Sequence, residues 1–429
     1  MKRLTNCALL AGLVSQPVWA DLTPKSHIGP LGIDFQSQVG LDYGHDSNVT
    51  YQAEKTPEGQ AVSSDYYQLS PMIQATGERG EDRYYLMYNG NYRRYNSSED
   101  DDFNEHFYMF EGKWRFGLRH GLNWNIAQTL GHEARGQETT EGFTYGQYQD
   151  FNIHQALKTS LVDSQLRYSY GAPEGRGSLQ VAVETKDLSF RDTDDIQEDF
   201  RQYIREQEWR ENSLIVELFD QYSSRTRFRY SVISNYRQYD VNELKDTSEY
   251  YLLYGIQTQR TGKTWIEGNI ALLYKDFDNN PAAESFTGLN WDLKAQWKPL
   301  KHSMLELYTW QKVKDPSEEG GYILDSKVGA SWEHHWWVDR LSTKIAFGYL
   351  TEDYRVTNNN RRDNVQTLSA LVSYDFRPSI RFELSYVYNM KDSNKDTDTF
   401  FIGANQTTPV ERTLGYDQSV VQLTMKVQI

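Results

Sequence analysis

Three arginines stand two residues apart at Arg225, Arg227 and Arg229, and Ser231, Asn235 and Arg237 continue the same spacing. In an extended chain successive side chains point to opposite faces, so these groups share one face while Thr226, Phe228, Tyr230, Val232 and Tyr236 share the other. Like charges stacked in this way repel, and the ladder is tolerable where acids such as Glu217 or an anionic solute neutralise it. The chemistry on offer is attraction of anions, beside the plainer reading of cross-strand ion pairs that stiffen a wall. The same two-residue rhythm gathers further charged groups on one face: Arg83, Arg93, Glu111, Lys113, Arg115, Arg381 and Glu383. Aromatic rings join that face at Tyr85, Phe107, Tyr251, Tyr308 and Trp310, where they could stack on sugar rings or pack against a loop.

Reactive constellations are otherwise missing. The chain has no G-x-S-x-G, no H-E-x-x-H and no glycine-rich phosphate loop, so neither an enzyme nor a metal or other cofactor is expected. His334-His335, in a predicted short turn beside Trp336-Trp337, reads as an interfacial aromatic cluster rather than a metal site. Acid runs at 97–102 and 192–199 read as solvated loop charge, with bridging to lipopolysaccharide through divalent cations as the other account. A net charge of -15 argues against nucleic acid as a partner.

These faces need strands to present them, and the composition supplies strands of one particular kind. With 31 Tyr, 18 Phe and 11 Trp but only 11 Pro in 429 residues, the chain is rich in aromatics yet polar on average. After the first residues no apolar run approaches the roughly 20 needed for a membrane-spanning helix. Hydrophobicity hidden behind every second residue is the pattern of a transmembrane β-barrel, with one face toward lipid and the other toward water. The rhythm starts at Ile33-Phe35-Val39-Leu41-Tyr43. It recurs at 249–260, 264–278, 286–298, 303–314, 322–333, 340–354, 364–376 and 380–391, and ends in Val421, Leu423, Met425, Val427 and Ile429.

Short connections such as "GERGE", "TGK" and "RPS" alternate with long polar ones, which places tight turns on one rim and loops on the other. The expected fold is all-β: an antiparallel up-and-down barrel of about eighteen strands, within two either way, because 147–176 holds either a loop plus one strand or an extra hairpin. Unpaired backbone amides cost several kcal/mol in hydrocarbon, so the first and last strands must pair. At that size side chains cannot fill the interior, and water enters unless a loop, such as 135–160 or 392–414, plugs it. MKRLTNCALLAGLVSQPVWA reads as a signal peptide over 1–20; a periplasmic segment at 21–32 and the barrel from 33 to 429 follow. The sole cysteine, Cys7, lies in that leader, and the expected location is the outer membrane.

Several stretches together resemble the β-barrel porins found beside exopolysaccharide and capsule export systems of Gram-negative bacteria. They are "LDYGHDSNV", "YLMYNGNYRRYNSSEDDDFNEH", "GHEARG" and "YSYGAPEGRGSLQ", all in the first half. The resemblance implies a wide barrel through which a secreted polysaccharide leaves the cell, with lipopolysaccharide around it and a periplasmic polysaccharide-export protein as partner. It carries over no site residues. A general or anion-selective diffusion porin is the alternative, and an outer-membrane lipid-modifying enzyme or an adhesin with long loops is a more distant one.

Overall fold

The computed structural model describes residues 27–29, 32–53, 61–172, 175–317, 320–336, 340–356, 360–403 and 406–429; the leader expected at 1–20 lies outside them. Eighteen strands form one closed antiparallel barrel. The first, Asp34–Asp46, pairs on one side with Ser64–Arg79 and on the other with the last, Tyr416–Gln428, through partners such as Val39 and Val427. Closure leaves no edge, as hydrocarbon requires. Residues 147–176 resolve as a loop with a short helix, Tyr145–Asp150, followed by one strand, Leu157–Tyr170.

Alternation sorts the wall as the physics demands. Along Thr226–Tyr239 the outer positions Tyr230, Val232 and Tyr236 stay exposed, Val232 at 58%, while Ser231 and Asn235 between them are buried. Near the short-turn rim the outer face carries paired rings with polar tips. Trp114 Nε1 donates to Tyr84 Oη (3.1 Å), and His120 meets Tyr168. Such rings suit a boundary that is apolar on one side and wet on the other. His334 belongs to this girdle, 4.1 Å from the Trp336 ring and 4.9 Å from His302. It sits inside the strand Gly321–Trp336 rather than in a turn, because pairing with Leu341–Val356 continues as far as Trp336.

On the opposite rim the long connections fold inward and build a second core. Loops 134–156, 192–208 and 394–415 contribute the helices Tyr145–Asp150 and Glu198–Arg205 and the hairpin Thr397–Ile402/Thr408–Thr413. Together with two strand ends they bury twelve apolar residues. Glu198–Arg205 places Phe200, Tyr203 and Ile204 on one side at helical spacing, and all three are buried. Its start is secured by the Gln197 side chain, which accepts from Phe200 N, and acids lead while Arg205 ends it. Phe200 lies 5.1 Å from Phe151 and 5.4 Å from Phe143, and Tyr203 lies 5.2 Å from Phe400. Gly142, at φ +72°, passes so close to the hairpin that a Cβ there would stand 2.5 Å from the Thr413 carbonyl oxygen.

Candidate functional site: the lumen and its cap

The inward face carries most of the charged groups that the rhythm singled out, and almost all are held by a neighbour. Lys113 Nζ reaches Glu111 (2.9 Å), Arg381 reaches Asp375 (2.6 Å) and Lys426 reaches Glu383 (3.1 Å). Glu217 accepts from Arg167, from Arg229 (3.5 Å) and from Ser231 Oγ (3.2 Å). Arg227 stacks on Phe219 with its guanidinium carbon 4.0 Å from the ring centre. Arg93 is stacked on Tyr66 at 4.0 Å while its Nε donates to Gln68. Arg83 and Arg115 sit at the short-turn rim, Arg83 beside Glu78 and Arg115 donating to the Leu118 carbonyl.

The ladder is one rung shorter than the spacing suggested. Arg225 is exposed in the two-residue turn between Trp209–Ser223 and Thr226–Tyr239, so it does not line the lumen. Alternation ran on through the turn in the sequence, but the strand begins at Thr226, where the register shifts. The aromatic candidates lie low against the wall. Tyr251 donates to Glu249 (2.7 Å), and Tyr308 lies flat over Gly329, where a Cβ would meet its ring at 2.3 Å. Trp310 is half-buried with the Lys312 ammonium 4.9 Å from its ring centre.

The residues that decide what can pass come from the loops. Loop 134–156 leaves between the fifth and sixth strands, His120–Glu133 and Leu157–Tyr170. Its Glu141 nevertheless pairs with Arg361 (2.7 Å), between the fifteenth and sixteenth, and with Lys391 (2.5 Å) on the seventeenth. Arg361 stands nearly opposite the loop's root in the closed wall, and Lys391 stands more than a third of the way round, so this segment reaches across the bore. Lys391 also holds Glu352 (3.0 Å) and Asp363 (3.1 Å), and Lys314 holds Glu352 (3.0 Å). Arg361 is fully buried and lies 4.4 Å from the centre of the Tyr354 ring. Burial pushes the Glu141 carboxyl up, but Lys391, Arg361 and Arg412 together hold it well below its ordinary value.

A second junction ties loop 315–320 to the wall: Asp315 accepts from Lys275 (2.5 Å) and Arg237 (2.7 Å). Those cations outweigh its burial and keep it ionised to low pH. Gln207 of the cap also donates to the Ser317 carbonyl (3.2 Å). In the acid run at 97–102, Glu99 and Asp100 are exposed as solvated loop charge, but Asp101 is buried, and Asp100 and Asp101 hold Arg135 at the base of loop 134–156 (3.1 and 2.8 Å). Sequence reasoning missed Glu141, Arg361 and Arg135 because they lie in loops, where periodicity gives no face; Lys391 lies on the strand Ile380–Ser393 in step with Arg381 and Glu383, and only its partners were hidden.

Residues 35–401 match the family described as "Putative beta-barrel porin 2". No curated protein sequence matches the chain. Among solved structures, a BenF-like porin from Pseudomonas fluorescens aligns at a TM-score of 0.50 and 9% identity, over 92% of this chain and 99% of that one. Acinetobacter baumannii OccAB4 aligns at 0.48 and 9%, over 92% and 98%. Pseudomonas aeruginosa OccK2, solved in complex with glucuronate, aligns at 0.49 and 10%, again over 92% and 98%. At these identities the likeness is one of fold.

Proposed function

The chain belongs to the family described as "Putative beta-barrel porin 2" and is an outer-membrane barrel; from that premise we propose that it is a diffusion channel for small hydrophilic solutes, with its long-loop rim facing outward. One observation carries this reading: a loop rooted beside the fifth strand is clamped to the far wall by Arg361 and Lys391, beneath a twelve-residue apolar core. An eighteen-stranded wall alone encloses a wide aqueous bore. A cap of this kind divides that bore into narrow passages, which suits compact solutes and obstructs a thick polymer. Conduction of a secreted polysaccharide requires the clamp to open, and nothing in the loops' packing favours an open form. The wall beneath is charged in both signs and largely self-neutralised, so solutes meet weak, repeated contacts rather than a trap.

The test is reconstitution of the mature chain into planar bilayers and liposomes. Steady channel conductance is expected, together with swelling by monosaccharides and disaccharides that falls off sharply for longer oligosaccharides. Passage of long oligosaccharides at rates close to those of monosaccharides would overturn the reading in favour of polymer export. A chain that inserts and conducts nothing would overturn it outright.

A further inference from the structure

Most cations on the lumen wall pair with a carboxylate or lie on a ring next to one. Two neighbouring lysines depart from that rule. Lys312, on Ser303–Lys314, and Lys327, on Gly321–Trp336, form no ion pair among the described residues, although they are diagonal neighbours across one strand pair. The acid opposite Lys312 is Asp325, which turns instead toward Lys314 (3.9 Å). Two neighbouring ammonium groups that no carboxylate holds repel, and a wall that pairs most of its other cations leaves these available to something mobile.

The surroundings define what that is. Trp310 stands directly opposite Lys327 in the register, and the Lys312 ammonium lies 4.9 Å from its ring centre. Below it, Tyr308 and the stem of Lys327 occupy a recess made by Gly329 and Gly348. A point one bond above Gly348 lies 3.2 Å from Tyr308 Oη and 3.8 Å from Lys327 Nζ, so the hydroxyl and the ammonium converge there. No hydrogen bond occupies Tyr308 Oη among the described residues. The patch therefore offers three donors and the indole of Trp310, and the acids nearest in the register, Asp325 opposite Lys312 and Asp292 opposite Trp310, form no ion pair with either lysine among the described residues.

We propose that Tyr308, Trp310, Lys312 and Lys327 form a subsite in the lumen for a ring-bearing monocarboxylate: the carboxylate between the two lysines and the Tyr308 hydroxyl, the ring against the indole. The inference rests on the diffusion-channel reading and names the class of solute that pauses on the way through. A planar anion takes charge-assisted hydrogen bonds from both ammonium groups, and the indole accepts an aromatic or sugar ring on its face.

Titration calorimetry on the full mature chain in detergent micelles decides it, with benzoate as the probe and benzamide as its neutral counterpart. Benzoate is expected to bind and benzamide to give no heat. The K312Q/K327Q variant should lose at least about tenfold in affinity, the worth of one charge-assisted hydrogen bond. W310A should weaken benzoate several-fold while leaving acetate unaffected, and heat-modifiable gel migration verifies that each variant is folded. Absence of benzoate heat in the native protein, or equal affinity in native and K312Q/K327Q chains, overturns the subsite. Channel conductance, recorded separately in chloride, reports on the diffusion reading. A conducting protein that ignores benzoate defeats the subsite alone, and one that binds benzoate without conducting defeats the channel alone.

Discussion

The clamp across the bore makes an unequal prediction about its two ends. Four carboxylates, Glu141, Asp325, Glu352 and Asp363, meet three cations, Lys314, Arg361 and Lys391. Replacing Arg361 by Met leaves four acids facing two bases in a buried setting. Removing one partner of a buried ionic cluster costs about 3–5 kcal/mol. Glu141→Gln does the reverse, leaving three acids with three bases and an amide that still accepts from Arg361, for a cost of about 1 kcal/mol. Because the cap is anchored separately from the strands, the loss falls on local opening rather than on the barrel. An opening free energy lowered by about 3–5 kcal/mol raises the open population on the order of a hundredfold to a thousandfold or more. Hydrogen exchange of peptides from 134–156, followed by mass spectrometry on the intact barrel, reads this directly, and single-channel conductance should rise in R361M. Protection in R361M equal to that of the native chain, or lower protection in E141Q than in R361M, would refute the reasoning.

Three further outcomes are expected. The cap should hold through neutral and mildly acidic pH: Glu141 is held well below 4.5 by Lys391, Arg361 and Arg412, and Asp398 is pulled below 3.8 by Arg412 despite its burial. A depressed carboxyl stabilises fully above its unfolded value and loses that contribution as pH falls through its folded one, so loop exchange should quicken only below about pH 4. Phe200→Ala, at the fully buried centre of the cap, should cost about 3–5 kcal/mol of cap stability while the β-sheet circular dichroism of the wall is retained. Gly44→Ala should destabilise the barrel by about 1–3 kcal/mol, because a Cβ there meets the Tyr66 ring at 2.4 Å, whereas Gly77→Ala, whose Cβ finds only Ile33 at 4.0 Å, should leave the melting temperature nearly unchanged.

The wall was legible in the sequence because lipid and water impose opposite demands on alternate residues. Val232 and Ser231 differ in exposure as their types require, and one such rule repeated around a closed sheet gives architecture and strand number together. Arg225 shows where the rule ends: two turn residues kept the rhythm by chance, and nothing local marks the last paired position. The cap was not legible in the same way. Its core is drawn from three loops far apart in the chain, and no short-range period connects Phe143, Phe200 and Phe400. A signal was present all the same, in the density of rings along "FTYGQYQDFNIHQAL" and in the helical spacing of Phe200, Tyr203 and Ile204, both inside segments otherwise read as polar connections.

The chemistry of the attachment follows from where the cap has to land. A loop that reaches across a water-filled bore meets an inward face that is polar by necessity, so it cannot dock there through apolar contact. Its own core is apolar, held by Phe200 and its neighbours, but its anchors on the far wall are Arg361 and Lys391. The two kinds of contact respond to different conditions. Hydrophobic packing keeps the cap a unit, while ionic contact, sensitive to a single charge, decides whether that unit stays seated. A variant that breaks the clamp should therefore swing the cap intact and leave Phe200 protected, whereas Phe200→Ala should dissolve the cap while the clamp residues keep their charges. Comparing exchange at 198–205 with exchange at 134–142 in the two variants separates a hinged lid from one that melts.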